Sequence, residues 1–427
     1  MTLDRMRQNR RLAFVWRIAL SLGLLYCVYL VAMRAVAHWY SRHPTPERIQ
    51  QAIRFDPGNP RYHVALAQLM QYSPEEADAE EIIRLYEKAT QLSPYQPSYW
   101  AALGGAYELA GRTEDAQRAY ERANELFPNS PDMKWRLANF YLRTGKAREA
   151  LSVLHSILLT NPEFQGQAFD LAWRATRDPD FILEVMIPPS TETLFPYLYY
   201  LVEKQQIDAA TRVWEQLVAL ELDFDGAAAF PYLDALIRHK HLEQLRQAWS
   251  ILGQRNLVRR AQHDGNSNLI TNGDFETDIL NGGLGWRVTP AEGAVVSVDN
   301  RNGFGGIRAL QIRFEGKHNL DYRHISQYIL VKPNTRYRFH GYMRVQGVTT
   351  DSGPRFQVYD AYDPAKLSLA TQNLVGSTNW VPQQLEFRAG PHTRLLVVRV
   401  ARPASRKFDN RITGSVWIDR LCLTALE

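Results

Sequence analysis

Residues 97–164 decide the fold of the first half of this 427-residue chain. Residues 97–130 read PSYWAALGGAYELAGRTEDAQRAYERANELFPNS, and residues 131–164 read PDMKWRLANFYLRTGKAREALSVLHSILLTNPEF. The two segments share one register of 34 residues, with small, aliphatic and aromatic residues at matching positions. The matching pairs are Leu103 and Leu137, Gly104 and Ala138, Tyr107 and Tyr141, Ala116 and Ala150, and Pro128 and Pro162. A fixed period of this length predicts helical hairpins stacked around one continuous core.

Residues 97–130 resemble a tetratricopeptide repeat at every signature position, and residues 131–164 repeat its phase with Lys134 in place of an aromatic residue. One unit precedes them, and before it a lone second helix is predicted around Ala52. A degenerate repeat follows, and then two further units. Their signature residues are Tyr197, Leu198, Leu201, Ala210, Trp214, Leu217, Tyr232, Leu233, Leu236, Leu245, Trp249 and Leu252. The resemblance predicts an α-solenoid of roughly six repeats over residues 45–258.

The first helices of stacked repeats line a concave surface, which in such proteins holds a peptide or a helix of a partner. Polar and aromatic residues between the signature positions are therefore the candidates for binding a partner protein. They are Tyr99, Glu108, Arg136, Asn139 and Arg143. The alternative is an ordinary solvated polar face, which is the default for a surface helix.

After a predicted linker at residues 259–267, the pattern changes to short alternating strands separated by Gly, Asn, Asp and Pro. Alternation is clearest from residue 336 to residue 345. The residues predicted to face a core there are Tyr337, Phe339, Gly341, Met343 and Val345. Residues 268–427 are thus predicted to form an antiparallel β-sandwich, with Trp286 and Trp380 in its core.

This region resembles carbohydrate-binding modules of the family 4 and 9 type, which are galactose-binding-like jelly rolls. The resemblance rests on the opening NGDFE at residues 272–276, on ISQYILVKPNTRYRFHGY at residues 325–342, and on the closing GSVWIDRL at residues 414–421. It implies that the opening and closing segments meet. It also implies that polar and aromatic side chains on one sheet contact a sugar.

The candidates for glycan binding are outward-facing residues of the predicted strands, on the expectation that these strands are neighbours. They are His340, Tyr342, Arg344, Gln357, Tyr359 and Arg399. Their arginines suit an anionic or highly polar glycan, because a guanidinium pairs bidentately with a carboxylate. The alternative is a solvated face, or a surface that docks against the repeats.

The same resemblance implies a structural Ca²⁺ that joins the opening segment to the closing strand. By position, the candidate metal ligands are Asp274, Glu276 and Asp419, since Ca²⁺ prefers carboxylate oxygens. The alternative is that these carboxylates only accept local hydrogen bonds in turns. No other cofactor is expected.

Residues 12–39 are predicted to form a transmembrane helix or signal anchor, with Arg17 and Arg34 close enough to its ends to reach the headgroups. Four arginines in the short tail at residues 1–11 favour a cytoplasmic N-terminus. The rest of the chain is then periplasmic, on a single-pass protein of the bacterial inner membrane. The alternative is a cleaved secretory signal ending at Ala35-Val36-Ala37.

The formal net charge of +5 and the absence of a run of basic residues argue against a nucleic-acid partner. The two cysteines, Cys27 and Cys422, make no metal-binding pair, and no catalytic motif is present. The sequence therefore predicts a non-catalytic envelope scaffold whose repeats hold a partner protein, expected to belong to the machinery of surface polysaccharide, and whose sandwich contacts glycan. The alternatives are a sandwich that is only structural or protein-docking, and a glycan hydrolase.

Overall fold

The computed structural model of the protein describes residues 3–72, 78–258, 263–264 and 266–426, with side chains described from residue 14 onward except at residues 259–267. The side chains of the predicted tail and part of the predicted linker lie outside the described residues. The chain divides into two compact units, Met1–Pro188 and Pro189–Glu427. The predicted class, α-helical repeats followed by an antiparallel β-sandwich, is confirmed.

The first unit consists of helices. They are α1 Leu3–Ser41, α2 Pro46–Phe55, α3 Pro60–Gln71, α4 Ala79–Leu92, α5 Pro97–Leu109, α6 Thr113–Leu126, α7 Pro131–Arg143, α8 Ala147–Thr160, α9 Gln165–Thr176 and α10 Pro179–Val185. Several begin with proline, whose missing N–H would have no helical partner in the first turn. Gly111 and Gly145, with φ of 74° and 76°, end α5 and α7 at equivalent positions of the repeat.

The packing inside each hairpin follows the 34-residue register. Gly104 lies against the ring of Tyr120, where an added Cβ would come within 3.0 Å of Cγ. Lys134, which takes the place of the aromatic residue, is only 4% exposed. Its Nζ donates to the Ser156 carbonyl at 3.0 Å and to Thr160 Oγ1 at 3.1 Å, near the end of α8. The departure from the repeat pattern is thus accommodated by hydrogen bonds to the neighbouring helix.

Helix α2 is not alone, because the C-terminal turns of α1 pack against it. Ala37 of α1 is fully buried in the same cluster as Ile49 and Ala52 of α2. The rings of Tyr40 and Phe55 stack with their centroids 5.8 Å apart. The long helix α1 therefore continues into the first helical pair of the array.

The second unit opens with two helical pairs and ends with the strands. Its helices are α11 Thr191–Glu203, α12 Ile207–Ala219, α13 Phe230–Arg238 and α14 Leu242–Gln254. The expected signature residues Tyr197, Trp214 and Tyr232 are buried. Prolines interrupt the degenerate repeat twice, at Asp178-Pro179 where α10 starts and at Pro188-Pro189 in the segment between α10 and α11.

The strands form two five-stranded antiparallel sheets and a two-stranded hairpin. They are β1 His263–Asp264, β2 Asn266–Ser267, β3 Arg287–Val288, β4 Ala294–Asp299, β5 Ala309–Glu315, β6 Tyr322–Leu330, β7 Arg336–Val348, β8 Arg355–Asp360, β9 Ser368–Ala370, β10 Gly376–Arg388, β11 Leu395–Arg402 and β12 Thr413–Leu426. Sheet I has the order β10-β7-β12-β5-β4, and sheet II has the order β3-β6-β11-β8-β9. Strand β7 alternates as predicted, with Tyr337, Phe339, Gly341, Met343 and Val345 buried in the core between the sheets.

The sandwich is joined to the last helical pair by polar and apolar contacts. Arg287 of β3 donates to both carboxylate oxygens of Asp234 in α13, at 3.0 and 2.5 Å. Gly283, with a φ of 53°, donates its N–H to the same carboxylate, and an added Cβ would come within 2.7 Å of Trp249. Tyr362 donates its hydroxyl to the Ile237 carbonyl at 2.7 Å. Helices α11 to α14 and the sandwich thus belong to one unit.

Candidate functional site

The six glycan-binding candidates lie on two different sheets, and the expectation that their strands are neighbours is wrong. His340, Tyr342 and Arg344 are on β7 of sheet I. The other three, Gln357, Tyr359 and Arg399, are on β8 and β11 of sheet II. The chain crosses from one sheet to the other between β7 and β8. Alternation shows which residues point away from the core, but it does not show on which sheet a strand lies.

On the outer face of sheet I, Tyr342 is covered by another aromatic ring. Phe304, from the loop between β4 and β5, stacks on Tyr342 with ring centroids 3.8 Å apart, and Trp380 lies 5.7 Å from Phe304. His340 meets Tyr342 edge to face at 5.0 Å. Trp286 is buried as expected, whereas Trp380 is partly exposed and packs against Phe304 outside the core. Tyr342 is therefore part of a small aromatic cluster.

Arg344 is held on the same face by Trp417 of β12. Its guanidinium carbon lies 4.9 Å from the centre of the Trp417 ring. Trp417 Nε1 donates to Asp299 Oδ2 at 2.8 Å, which fixes the ring that supports Arg344. A cation over an indole face is attracted by the quadrupole of the ring.

The three metal-ligand candidates line one cavity of about 700 Å³ on the sheet I side. The opening segment reaches the closing strand there, as the resemblance implied, since Leu421 donates its N–H to the Gly273 carbonyl at 2.9 Å. Glu276 Oε1 accepts the N–H groups of Ile307 and Arg308 at 2.8 and 3.1 Å. His340 lines the same cavity, and burial lowers the pKa of its imidazole.

Asp419 carries the most perturbed carboxyl group of this cavity. It is 1% exposed, and its two oxygens accept N–H groups from Phe304 and Arg420, each at 2.6 Å. Burial raises the pKa of Asp419 to about 6, and the nearby charge of Asp274 acts in the same direction. The Phe304 hydrogen bond also fixes the loop that covers Tyr342.

The carboxylate oxygens of Asp274, Glu276 and Asp419 are suitable ligands for a hard cation, but these three side chains alone do not form a complete metal site. A buried carboxylate with a second carboxylate nearby is stabilised by a divalent ion, and Ca²⁺ takes six to eight oxygen ligands. Across the residues that the structure describes, however, no three His, Cys, Asp or Glu side chains are close enough together to hold a metal ion. Calcium binding here would therefore also require main-chain oxygens of the loop.

The outer face of sheet II holds the second group of candidates in a hydrogen-bonded row. Arg399 Nε donates to Gln357 Oε1 at 2.9 Å, and Gln357 Nε2 donates to Ser368 Oγ at 3.0 Å. The guanidinium carbon of Arg399 lies 4.5 Å from the centre of the Tyr359 ring. Sequence reasoning missed Arg355, which precedes them on β8 and whose alternation with Gln357 was the available signal.

The candidates in the repeats lie on α5 and α7, and most of them bond to neighbouring residues. Arg143 makes a bidentate pair with Glu108, at 2.5 and 2.9 Å, and so links successive repeats. Arg136 bonds to Asp132, and Asn139 donates to the Trp135 carbonyl. Tyr99 is partly buried. Two of the five candidates are thus used in a contact between repeats.

One helix within the described residues is long and apolar enough to cross a membrane, the 28-residue segment Phe14–Ser41 of α1. None of its most apolar window is buried inside the protein. Composition and length of this kind also occur in signal sequences.

Two family models match the chain. One described as a tetratricopeptide repeat matches residues 109–171, and one described as a carbohydrate binding domain matches residues 267–406. Among curated proteins, none matches. The chain therefore contains tetratricopeptide repeats and a β-sandwich of the carbohydrate-binding type, both of which are binding domains rather than catalytic ones.

Several solved structures are similar to parts of the chain. A family 16 carbohydrate-binding module is 20% identical and aligns over 37% of this chain and 99% of its own, with a TM-score of 0.27. YrrB, described as a TPR protein with an unusual peptide-binding site, is 17% identical over 50% of this chain and 96% of its own, with a TM-score of 0.25. The enzymatically active domain of bacteriophage CBA120 tailspike protein 4 is 13% identical over 37% of this chain, with a TM-score of 0.28, and the chain covers only 21% of it.

Proposed function

We propose that this protein is a non-catalytic scaffold of the bacterial cell envelope, in which the repeats hold a partner protein and the β-sandwich contacts glycan during assembly, export or attachment of a surface polysaccharide. The observation that carries the proposal is a carbohydrate-binding-type sandwich with outward polar and aromatic residues, in one chain with protein-binding repeats. The step at which it acts rests on the combination of these domains with a helix able to span a membrane.

The proposal places α1 in the inner membrane as a retained anchor, with the N-terminus in the cytoplasm and the remainder in the periplasm. Retention is supported by Ala37, which is fully buried against α2. Cleavage after this residue would remove the packing partner of Ile49 and Ala52 and expose apolar surface. Mass spectrometry of the N-terminal peptide from the native host tests this, since a mature chain that starts at residue 38 would refute retention.

The partner protein is placed on the surface formed by the first helices of the repeats. The residues that support this are Tyr99, Arg136 and Asn139, whereas Glu108 and Arg143 hold neighbouring repeats in place for it. Capture of envelope proteins by the full-length chain in mild detergent, compared with Tyr99→Ala and Arg136→Ala chains, tests the surface. A partner that is captured equally by all three chains would place the site elsewhere.

The glycan contact is tested by a glycan array that includes the polysaccharide of the host, probed with the full-length chain in a non-ionic detergent. Two triple-alanine variants are compared with the parent chain. One replaces His340, Tyr342 and Arg344 on sheet I, and the other replaces Gln357, Tyr359 and Arg399 on sheet II. Loss of binding in only one variant assigns the groove to that sheet. If neither the parent chain nor a Ca²⁺-loaded sample binds any glycan, the glycan part of the proposal is abandoned.

A Ca²⁺ ion at Asp274, Glu276 and Asp419 is part of the proposal, because a cation would relieve the unfavourable burial of Asp419. Isothermal titration of the chelator-treated chain with CaCl₂ measures it directly. An Asp419→Asn chain that takes up Ca²⁺ as the parent does would exclude this site.

The second candidate function is a sandwich that serves only as a structural or protein-docking module. The contact that favours it is the Asp234 and Arg287 pair, which attaches the sandwich to α13 through β3. His340, Tyr342 and Arg344 lie on the other sheet. Deuterium exchange that protects β7 only when a captured partner protein is present would support docking over glycan binding.

A further inference from the structure

Positive charge is concentrated on the strands of sheet II. These strands carry five arginines and one acidic residue, Asp360. Asp360 is buried on the core side of β8, where it accepts the Thr393 hydroxyl and the N–H groups of Tyr362 and Asp363. It therefore does not neutralise an arginine on the outer face.

Three of the five arginines have partners that account for them. Arg287 is paired with Asp234, and Arg323 makes a bidentate pair with Asp321 at 2.7 Å for each bond. Arg402, at the end of β11, is fully buried and donates to the main-chain carbonyls of Ser352 and Asn410. Within the described residues, Arg355 and Arg399 are the two arginines of these strands that remain without an ion pair or a full set of hydrogen-bond acceptors, although the charge of Asp321 is near enough to act on Arg399.

Arg399 is positioned in advance for a further ligand. Its guanidinium lies over the Tyr359 ring, and its Nε is engaged by Gln357. Apart from one N–H directed at the Tyr359 hydroxyl at 3.4 Å, the remaining donors have no acceptor among the described residues. Burial lowers the pKa of this guanidinium and the charge of Arg323 acts in the same direction, whereas Tyr359 and the charge of Asp321 act in the opposite direction. An anion bound here would offset both effects.

Arg355 is the more unusual of the two. Its Nε is buried without an acceptor, and in the described part of the chain the guanidinium makes no hydrogen bond or ion pair. Burial alone lowers its pKa. A partly buried cation without a partner is unfavourable, and a bound anion would supply the missing acceptor.

Both arginines belong to the outer face of sheet II. Arg399 pairs with Gln357 and Ala401 pairs with Arg355, so the two arginines are diagonal neighbours on one face, at a spacing of about 7 to 8 Å between their backbone positions. Between the larger side chains of β6 and β8, the central strand presents Val397 and Ala401 to this face, at 3% and 4% exposed. Val397 and Ala401 are thus covered, and the side chains that a polymer can reach on this face include the partly exposed Arg355, Tyr359 and Arg399.

We propose that the outer face of sheet II binds an acidic polysaccharide, with Arg355 and Arg399 donating to oxyanions borne by the sugar units and Tyr359 providing an aromatic surface beside them. This inference rests on the proposed glycan contact and specifies its face and its ligand class. Two kinds of acidic polysaccharide carry such oxyanions on their sugar units. The oxyanion is a carboxylate in a uronic acid polymer and a sulfate ester in a sulfated polymer.

The test is affinity electrophoresis and biolayer interferometry of the full-length chain in non-ionic detergent against four polymers. Polygalacturonate is compared with its carboxyl-reduced form, and dextran sulfate is compared with dextran. We expect binding to at least one acidic polymer to exceed binding to its neutral counterpart at least tenfold, and to weaken steeply from 50 to 300 mM NaCl, because ionic contacts are screened. Arg399→Gln and Arg355→Gln should each reduce it several-fold.

The matched control is Arg313→Gln, which removes one exposed positive charge from the outer face of sheet I and should leave binding unchanged. Arg399→Lys keeps the charge but loses the planar fork, and should bind less than the parent. Arg355→Met should weaken binding while raising the melting temperature of the free chain, because it removes a partly buried charge that has no ion pair. A residue with only a structural role would lower the melting temperature.

The outcomes separate this inference from the proposal on which it rests. Equal binding of acidic and neutral polymers, unaffected by changes at Arg355 and Arg399, would overturn the acidic ligand class while leaving glycan binding intact. Loss of binding in the Arg313→Gln control to the same extent would assign the effect to net charge and also overturn the site. No binding to any of the four polymers or to the wider glycan array would remove the glycan contact itself.

Discussion

The joint between α13 and the sandwich makes the most direct prediction. Asp234 accepts three hydrogen bonds, two from Arg287 and one from the Gly283 N–H at 3.2 Å. The two charged side chains are only 20% and 33% exposed. Replacing Asp234 by alanine removes all three bonds and leaves Arg287, whose Nε already has no acceptor, partly buried without its counter-charge.

The magnitude follows from the burial of the pair. Removing one partner of a fully buried ion pair costs about 3 to 5 kcal/mol, and the partial exposure of this pair reduces the expected cost for Asp234→Ala to about 2 to 3 kcal/mol. The double variant with Arg287→Ala should be less destabilised than the sum of the two single variants. We expect a coupling energy of about 1.5 to 2.5 kcal/mol.

The assay is urea unfolding of the full-length chain in non-ionic detergent, followed by tryptophan fluorescence, for the parent, both single variants and the double variant. The control cycle uses Arg338 and Glu386, a pair with a 2.8 Å bond and side chains 49% and 36% exposed, for which we expect less than about 1 kcal/mol of coupling. Equal coupling in the two cycles, or a loss below about 0.5 kcal/mol for Asp234→Ala, would refute the assignment of this contact as a stabilising joint.

Three other predictions concern single sites. The pKa of Asp419 is raised from 3.8 to about 6, so the folded state binds the proton more tightly than the unfolded state. Above pH 6 the ionised carboxyl group should therefore lower the free energy of unfolding by about 3 kcal/mol. This loss should disappear as the pH falls toward 4. Melting temperatures from pH 4 to 8 should show this gain on acidification in the parent and not in Asp419→Asn, and a parent profile identical to that of the variant would contradict it. Burial lowers the pKa of Lys134, which shows that its charged form is unfavourable there. Lys134→Met should therefore leave the urea midpoint at pH 7 unchanged or higher. A decrease in the free energy of unfolding above about 1 kcal/mol would show instead that the ammonium group stabilises the fold. Gly104→Ala, which brings a Cβ within 3.0 Å of the Tyr120 ring, should cost about 1 to 3 kcal/mol by the same measurement, while Gly58→Ala, which meets no atom within 4 Å, should cost less than about 1 kcal/mol.

The sequence predicted the classes of structure from repeating patterns. The 34-residue register identified the hairpins because each signature residue packs within its own repeat or the next one. The sequence showed that Lys134 replaces an aromatic residue, but it did not show that this lysine donates hydrogen bonds to α8. The partner of α2 was also missed, because the C-terminal turns of α1 read as the end of an apolar membrane segment.

The candidate site was predicted less completely, for a reason that concerns the sandwich. Alternation correctly assigned the outward residues of β7, β8 and β11. Alternation could not show that Tyr342 lies beneath Phe304, because Tyr342 is on β7 and Phe304 is in the loop between β4 and β5, far apart in the sequence. The carboxylates at both ends of the domain were found through the resemblance to a known family, and the structure brings all three to one cavity.

The sequence by itself determined the helical repeats, the change to strands near residue 268, the apolar N-terminal helix and the choice of which side chains point outward. The N-terminal helix follows from the length of an apolar stretch, and the other features follow from periods of 2, 3.6 or 34 residues, which local geometry imposes on a chain. Only the tertiary structure decided that β7 and β8 lie on opposite sheets, that Asp234 meets Arg287, and that Arg355 is partly buried without an ion pair among the described residues. These facts depend on which distant strands become neighbours, and a pattern read along the chain does not contain that information.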